Sequence, residues 1–416
     1  MRRTPAHFAK ASVEYRNFDR QFGDLPLRFY SDLYFPDDRN DENTESIRLG
    51  FHHALSSQSD LIGTVVTADY DYVFTNDPLD FTYDYVDDRN MAELQHIIRS
   101  NRVNLLYGVS YFRADATSLA TFGGPVSVAI MENDEIKEDS KAYAYLNMDL
   151  PDTVIWTVGT SIESFNGIID KDLVNPKLGV TWSPLDSTTV RAAATHVLRS
   201  HFINDQSLEP THVAGFNQFF DDSEGAEAWR FGIAVDHKLN DTLFGGIELS
   251  QRDLDVAYEF FFLAGQTEWH EKQARLYLSW VPVRWFSGTL EYIEEQFERD
   301  LECTGAELIH DLKIHKFPIN LNVFLASGLT GTLNATFVDQ AGEFELNPLS
   351  SQPVNGGDNF WVVDLSLRYR LPRRYGMLSL EIRNLFDEAF QFQTLDPSSP
   401  EYVPERWVLG KLTISF

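Results

Sequence analysis

The chain has 416 residues, a formal net charge of −29 and 43% hydrophobic residues. The hydrophobic content excludes a disordered chain, and the negative charge argues against a nucleic-acid partner, whose phosphates would be repelled. The single cysteine, Cys303, excludes a disulfide framework and a cysteine-based zinc site. No apolar run is long enough for a transmembrane helix, and residues 1–15 lack the apolar stretch of a signal peptide.

Short segments in which apolar and polar residues alternate recur along the whole chain, and no helical period of useful length separates them. Because successive side chains of a strand point to opposite faces, each segment has one apolar and one polar face. Val154, Trp156 and Val158, for example, share a face that excludes Thr157 and Ser161. The sequence predicts 18 strands, at residues 7–22, 44–56, 61–76, 90–101, 103–117, 140–150, 153–166, 174–183, 188–203, 227–239, 242–260, 266–282, 285–299, 307–326, 329–345, 359–372, 375–390 and 406–416.

The connections between these segments alternate in length. From the first strand onward, every second connection is a short polar turn, and the others are loops, of which residues 23–43, 77–89, 118–139 and 204–226 are among the longest. A soluble β-sandwich also alternates, but a long meander without Greek-key crossings fits it poorly. Charged residues at mid-strand and aromatic residues near strand ends favour a barrel in a membrane. We therefore predict an all-β fold: a single domain, residues 1–416, forming a transmembrane up-and-down antiparallel β-barrel with short periplasmic turns and long extracellular loops.

Acidic residues concentrate in the loops at one end of the predicted barrel. The four loops 23–44, 76–90, 119–140 and 204–227 carry 22 acidic and 4 basic residues, and thus −18 of the net charge of −29. This acidic rim could attract cationic or metal-bearing solutes or bind divalent ions among lipopolysaccharide headgroups. It could equally be a solvated loop surface, which is the simpler interpretation.

Two stretches resemble the TonB-dependent outer-membrane receptor family. The first is GMLSLEIRNLFDEAFQFQ, residues 376–393, followed by a last strand with an aromatic end; the matching residues are Asn384, Leu385, Phe386, Asp387, Phe390 and Phe416. The second, residues 174–200, resembles a mid-barrel hairpin of the family through Asn175, Pro176, Lys177, Gly179, Thr189, Arg191 and Ala192. The resemblance implies a barrel that binds or passes a solute across the outer membrane of a Gram-negative cell.

Family members also carry an N-terminal plug domain, a short box that recruits TonB, and 22 strands. Neither the plug nor the box is evident in this sequence, and we count 18 strands. Two interpretations remain open. The chain is either the C-terminal part of a longer receptor or an 18-stranded barrel that works with another periplasmic domain.

No pattern in the sequence indicates catalysis, a metal site or a cofactor. Nucleophile-elbow, zinc-protease, P-loop and EF-hand patterns are missing, and the closest histidine pairs, such as His196 and His201, fall on opposite strand faces. A weak ligand site is suggested by alternating carboxylates and aromatic rings at Asp69, Tyr70, Asp71 and Tyr72, although a tall hairpin with a tyrosine girdle explains them as well. Strand parity predicts a set of side chains facing the lumen, where ion pairs should join adjacent strands: Arg191, Arg230, Glu248, Arg275, Glu291, Asp364, Arg368, Arg370, Glu381 and Arg383.

We therefore expect an outer-membrane β-barrel transporter or receptor, not an enzyme. The alternative is a membrane anchor or export pore for a periplasmic domain, such as helical repeats, encoded upstream. Expected partners are outer-membrane lipid and lipopolysaccharide, the assembly machinery acting on the C-terminal strand, and a plug or periplasmic domain outside this chain. The last strand, which places Val408 and Leu412 toward lipid, is expected to close against residues 7–22, because an open edge leaves backbone groups unpaired.

Overall fold

The structure, a computed structural model, describes residues 8–25, 29, 34–123, 128–204, 206–220, 222–260, 263–300, 309–344, 353–394 and 400–414. Over these ranges the chain is built almost wholly of β-strands joined by turns and loops. Two single-turn 3-10 segments, at Asp77–Leu79 and Pro372–Arg374, are the helical elements of the described part. None of the described residues forms a helix long and apolar enough to cross a bilayer.

Eighteen strands form one antiparallel sheet, and two very short strands form a separate hairpin. The first nine are β1 (Phe8–Gly23), β2 (Asp38–Ser56), β3 (Ser59–Asn76), β4 (Phe81–Arg99), β5 (Val103–Phe122), β6 (Val128–Asp149), β7 (Val154–Asn166), β8 (Lys171–Leu185) and β9 (Thr188–Leu198). The short hairpin is β10 (His212–Val213) and β11 (Phe216–Asn217). The remaining strands are β12 (Glu227–Asn240), β13 (Leu243–Phe260), β14 (Leu263–Val283), β15 (Phe286–Arg299), β16 (Ile309–Phe324), β17 (Leu329–Phe344), β18 (Val354–Arg370), β19 (Gly376–Arg383) and β20 (Trp407–Ile414).

Each strand of the large sheet pairs with the next one along the chain, and β9 pairs with β12 across the loop that carries the short hairpin. The register is continuous over long stretches: β3 and β4, for example, pair from Ser59 with Ile98 to Asn76 with Phe81. Every predicted segment overlaps one of these strands. The predicted all-β, 18-stranded up-and-down meander is therefore confirmed.

The strands reach further into the loops than the sequence predicted. The expected loop 77–89 is reduced to one tight turn, because the side chain of Asn76 accepts the backbone N–H of Leu79 and Asp80 adopts a left-handed backbone with φ 51°. β19 shows the opposite error: the prediction continued it to residue 390, but it ends at Arg383. Asn384 and Asp387 have positive φ values of 47° and 59°, which a strand cannot accommodate.

The apolar face of the sheet points outward. Trp156, Val158 and Ile162 on β7 are 46%, 43% and 59% exposed, whereas Ser161 and Glu163 on the same strand are 0% and 2% exposed. This inverts the usual arrangement of a water-soluble protein, in which large apolar side chains are buried and charged ones are exposed. Such a surface is stable in lipid, where apolar side chains need no burial and polar groups must be paired inside.

The sheet curls until the loop that follows β1 reaches strands near the other end of the sheet. Phe29, which follows β1, packs on Phe344 of β17 with ring centroids 5.2 Å apart, and it also lies close to Gly356 of β18. Among the described residues β1 pairs only with β2, and β20 only with β19. The expected closure of the last strand against residues 7–22 is thus not formed there. Both edge strands expose nearly all of their described side chains.

Candidate functional site

The loop between β9 and β12, residues 199–226, is called the inner loop, and its described residues lie against the polar face of the sheet. Its hairpin, β10 and β11, buries Val213 and Phe216, which are 0% and 2% exposed. The contacts of this loop reach far around the sheet. The side-chain amide of Asn204 donates to the hydroxyl of Ser46 on β2 at 3.2 Å, and the guanidinium of Arg230 on β12 donates to the backbone oxygen of Asn217. The inner loop therefore crosses the concave interior from one side to the other.

Two glycines of the wall make room for this hairpin. A Cβ atom at Gly179 on β8 would lie 2.7 Å from Val213, and one at Gly232 on β12 would overlap the ring of Phe216. The tip of the hairpin turns at Gly215, whose φ of +85° suits glycine. The absence of two side chains thus creates the recess in which the hairpin sits.

A buried cluster of charges ties the inner loop to the wall. The carboxylate of Glu209, 2% exposed, lies 3.3 Å from the ammonium of Lys141 on β6 and 3.7 Å from that of Lys177 on β8. It also accepts the hydroxyl of Tyr145 at 2.5 Å. Lys141 is paired in addition with Glu163 of β7 at 3.2 Å. Buried charges are stable only when they are paired and hydrogen-bonded, so these contacts fix the depth of the loop.

A second attachment lies beside this cluster, on β4. Glu93, 4% exposed, accepts the backbone N–H of Leu208 at 2.7 Å and the hydroxyl of Tyr143 at 2.9 Å. The side-chain amide of Gln95 donates to the backbone oxygen of Leu208. Since both backbone groups of one loop residue are held by one strand, the loop cannot slide along the wall without losing both bonds.

His201 anchors the start of the inner loop. Its ring stacks between Phe112 and Phe165, with centroids 5.0 and 4.5 Å away, and its Nε2 lies 3.4 Å from the carboxylate of Glu224. Burial lowers the pKa of His201 to about 4, although the negative charge of Glu224 opposes that shift. The histidine is therefore neutral at pH 7.

A second loop, residues 384–406, covers the opposite part of the interior with its described residues, 384–394 and 400–406; we call it the C-terminal loop. It adds Phe390, Phe392 and Tyr402 to an apolar cluster with residues of β16, β17 and β18. The ring of Phe390 stacks on Phe360 at 4.1 Å. An ion pair of 2.7 Å joins Glu401 to Lys316 of β16. Beneath the C-terminal loop the interior of the sheet is thus largely apolar, with the ion pair of Glu401 and Lys316 at its side.

Beside the inner loop lies a cavity of about 390 Å³, which we call the arginine pocket. Phe220 and Asp222 of the inner loop line one side, and Glu295 of β15 lines the other, where it pairs with Lys316 at 3.0 Å. The wall between them, from β12 to β15, supplies Arg230, Arg252, Trp269, Glu271, Phe297 and Arg299. The pocket combines three guanidinium groups with three aromatic rings.

The guanidinium groups of the pocket are stacked on aromatic rings. Arg252 lies 3.8 Å from the centroid of Phe220, and Arg299 lies 3.9 Å from that of Trp269. Arg252 is also paired with Glu271 at 2.8 Å and with Asp222. Arg230 donates to the hydroxyl of Ser250 at 3.3 Å, and no carboxylate among the described residues forms a salt bridge with it.

Several hydrogen-bond donors of this pocket are buried without an acceptor. Arg230 and Arg252 are each 7% exposed, yet the Nε of each has no hydrogen-bond partner among the described residues. The indole N–H of Trp269 is also buried and has no hydrogen-bond partner among the described residues. A buried donor without an acceptor costs about 1–3 kcal/mol. The three residues that carry these donors line one cavity, which indicates a site suited to a ligand that supplies acceptor atoms.

The side chains predicted to face the lumen lie on strands of the sheet, and the structure brings six of the ten together in pairs. Arg191 and Glu248 approach to 3.4 Å, Arg275 and Glu291 to 2.8 Å, and Arg368 and Glu381 to 3.3 Å. The remaining four do not pair with one another in the described structure. Arg230 lies in the arginine pocket, the Asp364 carboxylate accepts the backbone N–H of Asn384, Arg370 is exposed, and Arg383 lies 5.8 Å from the ring centroid of Trp407.

The four residues of the weak ligand hypothesis do not converge. Asp69 and Asp71 are exposed on one face of β3, and Tyr70 and Tyr72 are half-buried on the other. The two tyrosines stack edge-to-face on Tyr85 and Tyr83 of β4, at 6.0 and 6.4 Å. They are therefore not an outer girdle, but part of the inner lining of a tall hairpin.

The residues of the family-like C-terminal stretch form a turn. Asn384, 0% exposed, donates its side-chain amide to the backbone oxygen of Glu388 at 2.9 Å, and its side-chain oxygen accepts the N–H of Glu388. Leu385 donates its N–H to Val363 of β18 at 2.7 Å, and Phe386 is 71% exposed. Asp387 accepts the N–H of Arg406, just before β20, at 2.8 Å. This turn thus fastens the C-terminal loop at both ends; Phe416 lies outside the described residues.

Sequence reasoning singled out Arg230 but not its neighbours in the pocket. Arg252 shares a face of β13 with Glu248, and Arg299 shares a face of β15 with Glu291, so the same parity rule could have found both. Trp269 of β14 also lines the pocket, and an aromatic residue near a strand end gives no signal for such a role. Phe220 had no signal in the sequence, because loop residues follow no period, and Asp222 had only its place among the acidic residues of loop 204–227. The described residues contain no group of three or more His, Cys, Asp or Glu that could hold a metal ion.

This architecture, with an apolar outside, a polar interior, tight turns at one end and inserted loops at the other, defines an outer-membrane type of β-barrel. A family model described as TonB dependent receptor-like, beta-barrel matches residues 3–258. The chain therefore belongs to the TonB-dependent receptor-like β-barrel family. A search of curated protein sequences finds no match.

Solved structures of the same fold are receptors and transporters of bacterial outer membranes. The ferripyoverdine receptor of Pseudomonas aeruginosa, bound to ferripyoverdine, matches with a TM-score of 0.69 and 13% identity over 100% of this chain and 63% of that one. The ferric-catecholate import receptor Fiu of Escherichia coli K12 matches with a TM-score of 0.68 and 12% identity, over 98% of this chain and 72% of that one. The FrpB iron transporter of Neisseria meningitidis matches with a TM-score of 0.69 and 12% identity, over 98% of this chain and 69% of that one. The chain thus spans less than two thirds of the ferripyoverdine receptor.

Proposed function

We propose that this chain is the barrel part of an outer-membrane receptor that binds a solute in the arginine pocket, on the inner face of the barrel, and passes it across the outer membrane. The observation that carries this proposal is the pocket itself, where Arg230, Arg252 and Trp269 offer buried donors without acceptors beside aromatic rings. Its similar structures are described as receptors or transporters of ferripyoverdine, ferric catecholates and iron. An organic complex of a metal ion is therefore the first class of solute to test.

We place the protein in the outer membrane of a Gram-negative bacterium, as a multi-pass β-barrel surrounded by lipid and lipopolysaccharide. The exposed apolar side chains of the strands support this location, as do the outer-membrane proteins with the same fold. We further propose that the assembly machinery acts on the C-terminal strand and that a plug or periplasmic domain works with this barrel. The chain is a binding and transport protein in this proposal, without catalytic activity of its own.

The alternative function, an anchor or export pore, fits the interior less well. An export pore needs an open passage, but the inner loop and the C-terminal loop both cover the inside of the sheet. The buried cluster of Glu209, Lys141 and Lys177 holds the inner loop there with several bonds. A receptor, in contrast, uses such loops to enclose its ligand.

Binding of ferric complexes to the purified chain in detergent tests the proposal. We expect at least one member of a panel of ferric hydroxamates and ferric catecholates to quench tryptophan fluorescence with saturation. Trp269→Phe should remove much of that quenching, and Arg252→Gln should weaken binding about tenfold, as expected for one charge-assisted contact. Trp361→Phe, on the outer face, is the matched control for fluorescence. Unchanged binding by the Arg252 variant, or no saturable binding at all, would contradict the proposed site.

A further inference from the structure

The inner loop presents to the arginine pocket the two groups that an aromatic acid would present. The ring of Phe220 covers Arg252 at 3.8 Å and Arg230 at 4.8 Å. The carboxylate of Asp222, two residues later, pairs with Arg252. One loop thus supplies both a flat ring and an oxyanion to one guanidinium group. We propose, building on the proposed function, that the pocket binds a carboxylate carried on a planar ring, and that such a ligand displaces Asp222 from Arg252.

The pocket has hydrogen-bond donors without acceptors, so it suits a ligand that offers more acceptor atoms than the carboxylate of Asp222 does. Asp222 leaves the Nε of Arg252 without a partner, and it does not form a salt bridge with Arg230. A carboxylate has two oxygens with about four lone-pair sites, which suits several donors at once. Once Asp222 is displaced from Arg252, a ligand carboxylate approaches these buried donors and gains bonds that Asp222 does not make.

The planar part of the ligand follows from the stacking already present. Guanidinium groups stack favourably on flat aromatic faces. The pocket holds two such stacks, Arg252 on Phe220 and Arg299 on Trp269, and its cavity of about 390 Å³ lies beside both. This volume is within the range of small-molecule sites, and it accommodates a ring with its substituents.

Displacement of Asp222 has a consequence for the inner loop. Asp222 and Phe220 lie close to the C-terminal end of the loop, whereas Glu209 and Leu208 are held by the cluster on β4, β6 and β8. Loss of the pair with Arg252 therefore loosens the segment 217–226 while Glu209 stays in place. The ligand and the loop compete for one guanidinium group, so binding and loop release are linked.

The test uses 4-fluorobenzoate as the probe and 4-fluorobenzamide as its uncharged counterpart, on the full chain in detergent micelles. Fluorine NMR measures affinity, and hydrogen exchange follows the inner loop. Asp222→Asn removes the competing carboxylate at nearly constant size, and Glu224→Gln is the matched control, since Glu224 pairs with Lys137 and His201 instead. We expect the Asp222 variant to bind 4-fluorobenzoate about fivefold to tenfold more tightly, with no change for the control or for the amide.

In the wild-type protein, saturating 4-fluorobenzoate should also raise hydrogen exchange in residues 217–226. The inference is overturned if the Asp222 variant binds no more tightly than wild type, or if bound probe leaves exchange unchanged. If the probe binds in the pocket and one of these two results is obtained, only the inference fails, and the proposed receptor site stands. If neither the probe nor any ferric complex binds to wild type or variant, the pocket is not a ligand site, and the proposed function fails together with the inference.

Discussion

The ring of His201 lies parallel to that of Phe165, with the planes 7° apart and the centroids separated by 4.5 Å. This stack, completed by Phe112 on the other side, excludes water from the imidazole. The charged groups around it are Glu224, Lys137, Arg89 and Asp87. His201 lies outside the strands, and its lowered pKa makes docking of the inner loop depend on pH.

We expect docking of the inner loop to weaken as the pH falls. The pKa of His201 is about 4 in the docked loop, against an ordinary value of 6.5, so a released loop binds the proton more readily. The stabilisation is complete above pH 6.5 and is lost between 6.5 and 4, by about 3 kcal/mol in all. Hydrogen exchange in residues 199–226, corrected for its intrinsic pH dependence, should be about 30-fold faster at pH 5 than at pH 7.5. His201→Phe keeps the stack and should abolish this difference; slower exchange in acid would refute the assignment.

Gly232→Val should expel the hairpin of β10 and β11 from its recess. The added side chain overlaps the ring of Phe216, and overpacking of this kind costs about 1–3 kcal/mol. Limited proteolysis within residues 199–226 should become roughly tenfold faster. Gly331→Val on β17 is the control, because a Cβ there meets only Leu367, at 3.5 Å. Equal cleavage rates in the two variants would show that Phe216 does not depend on the recess.

Glu209→Gln should destabilise the docked inner loop by about 3 kcal/mol, because the change leaves Lys141 and Lys177 in a buried site with one partner fewer. This loss of stability is at the lower end of the range of about 3–5 kcal/mol for breaking a buried ion pair, because Glu163 remains 3.2 Å from Lys141. Hydrogen exchange of Leu208 and its neighbours measures it. Glu138→Gln breaks a pair with Arg113 whose side chains are 45% and 40% exposed, and it should cost less than about 1 kcal/mol. Similar costs for the two substitutions would argue against a buried anchor.

Leu278→Arg tests the direction of the two sheet faces. Leu278 is 41% exposed on the apolar face of β14, about mid-way through the ten residues before the turn, whereas Ser279 points inward and meets the hydroxyl of Thr289 at 3.3 Å. An arginine facing lipid near the midplane costs about 2–4 kcal/mol. Urea unfolding from lipid vesicles should show this loss for Leu278→Arg, and a clearly smaller one for Ser279→Arg. The reverse order would mean that the faces are exchanged.

The sequence was sufficient for the strands because their alternation has a physical cause that acts residue by residue. Trp156 and Ser161 can be assigned to opposite faces without any knowledge of their partners, and the structure agrees. The length of the strands was harder to predict, since β4 extends through Tyr85 and Tyr83 by stacking on β3, a contact between segments. The alternation of residues also predicted too long a β19, because the strand is ended by the backbone conformation of Asn384 and not by a change in hydrophobicity.

The arginine pocket could be predicted only in part. Parity places Arg230 on the inner face, and it would have placed Arg252 and Arg299 there as well. Phe220 and Asp222 reach the pocket because Glu209, eleven and more residues earlier in the chain, is fixed by Lys141 and Lys177. That attachment depends on the three-dimensional packing of β6 and β8, and it cannot be predicted from a local pattern in the sequence.

The contact between Phe29 and Phe344 has a consequence for the order in which the chain folds. These rings are 315 positions apart (344 − 29) and meet at a centroid distance of 5.2 Å. Closing so long a segment costs about 5 kcal/mol of chain entropy, and an aromatic pair returns only about 1 kcal/mol. The contact therefore forms after neighbouring hairpins have zipped together one by one and the twist of the growing sheet has brought its ends within reach. We therefore expect this contact to be among the last that form.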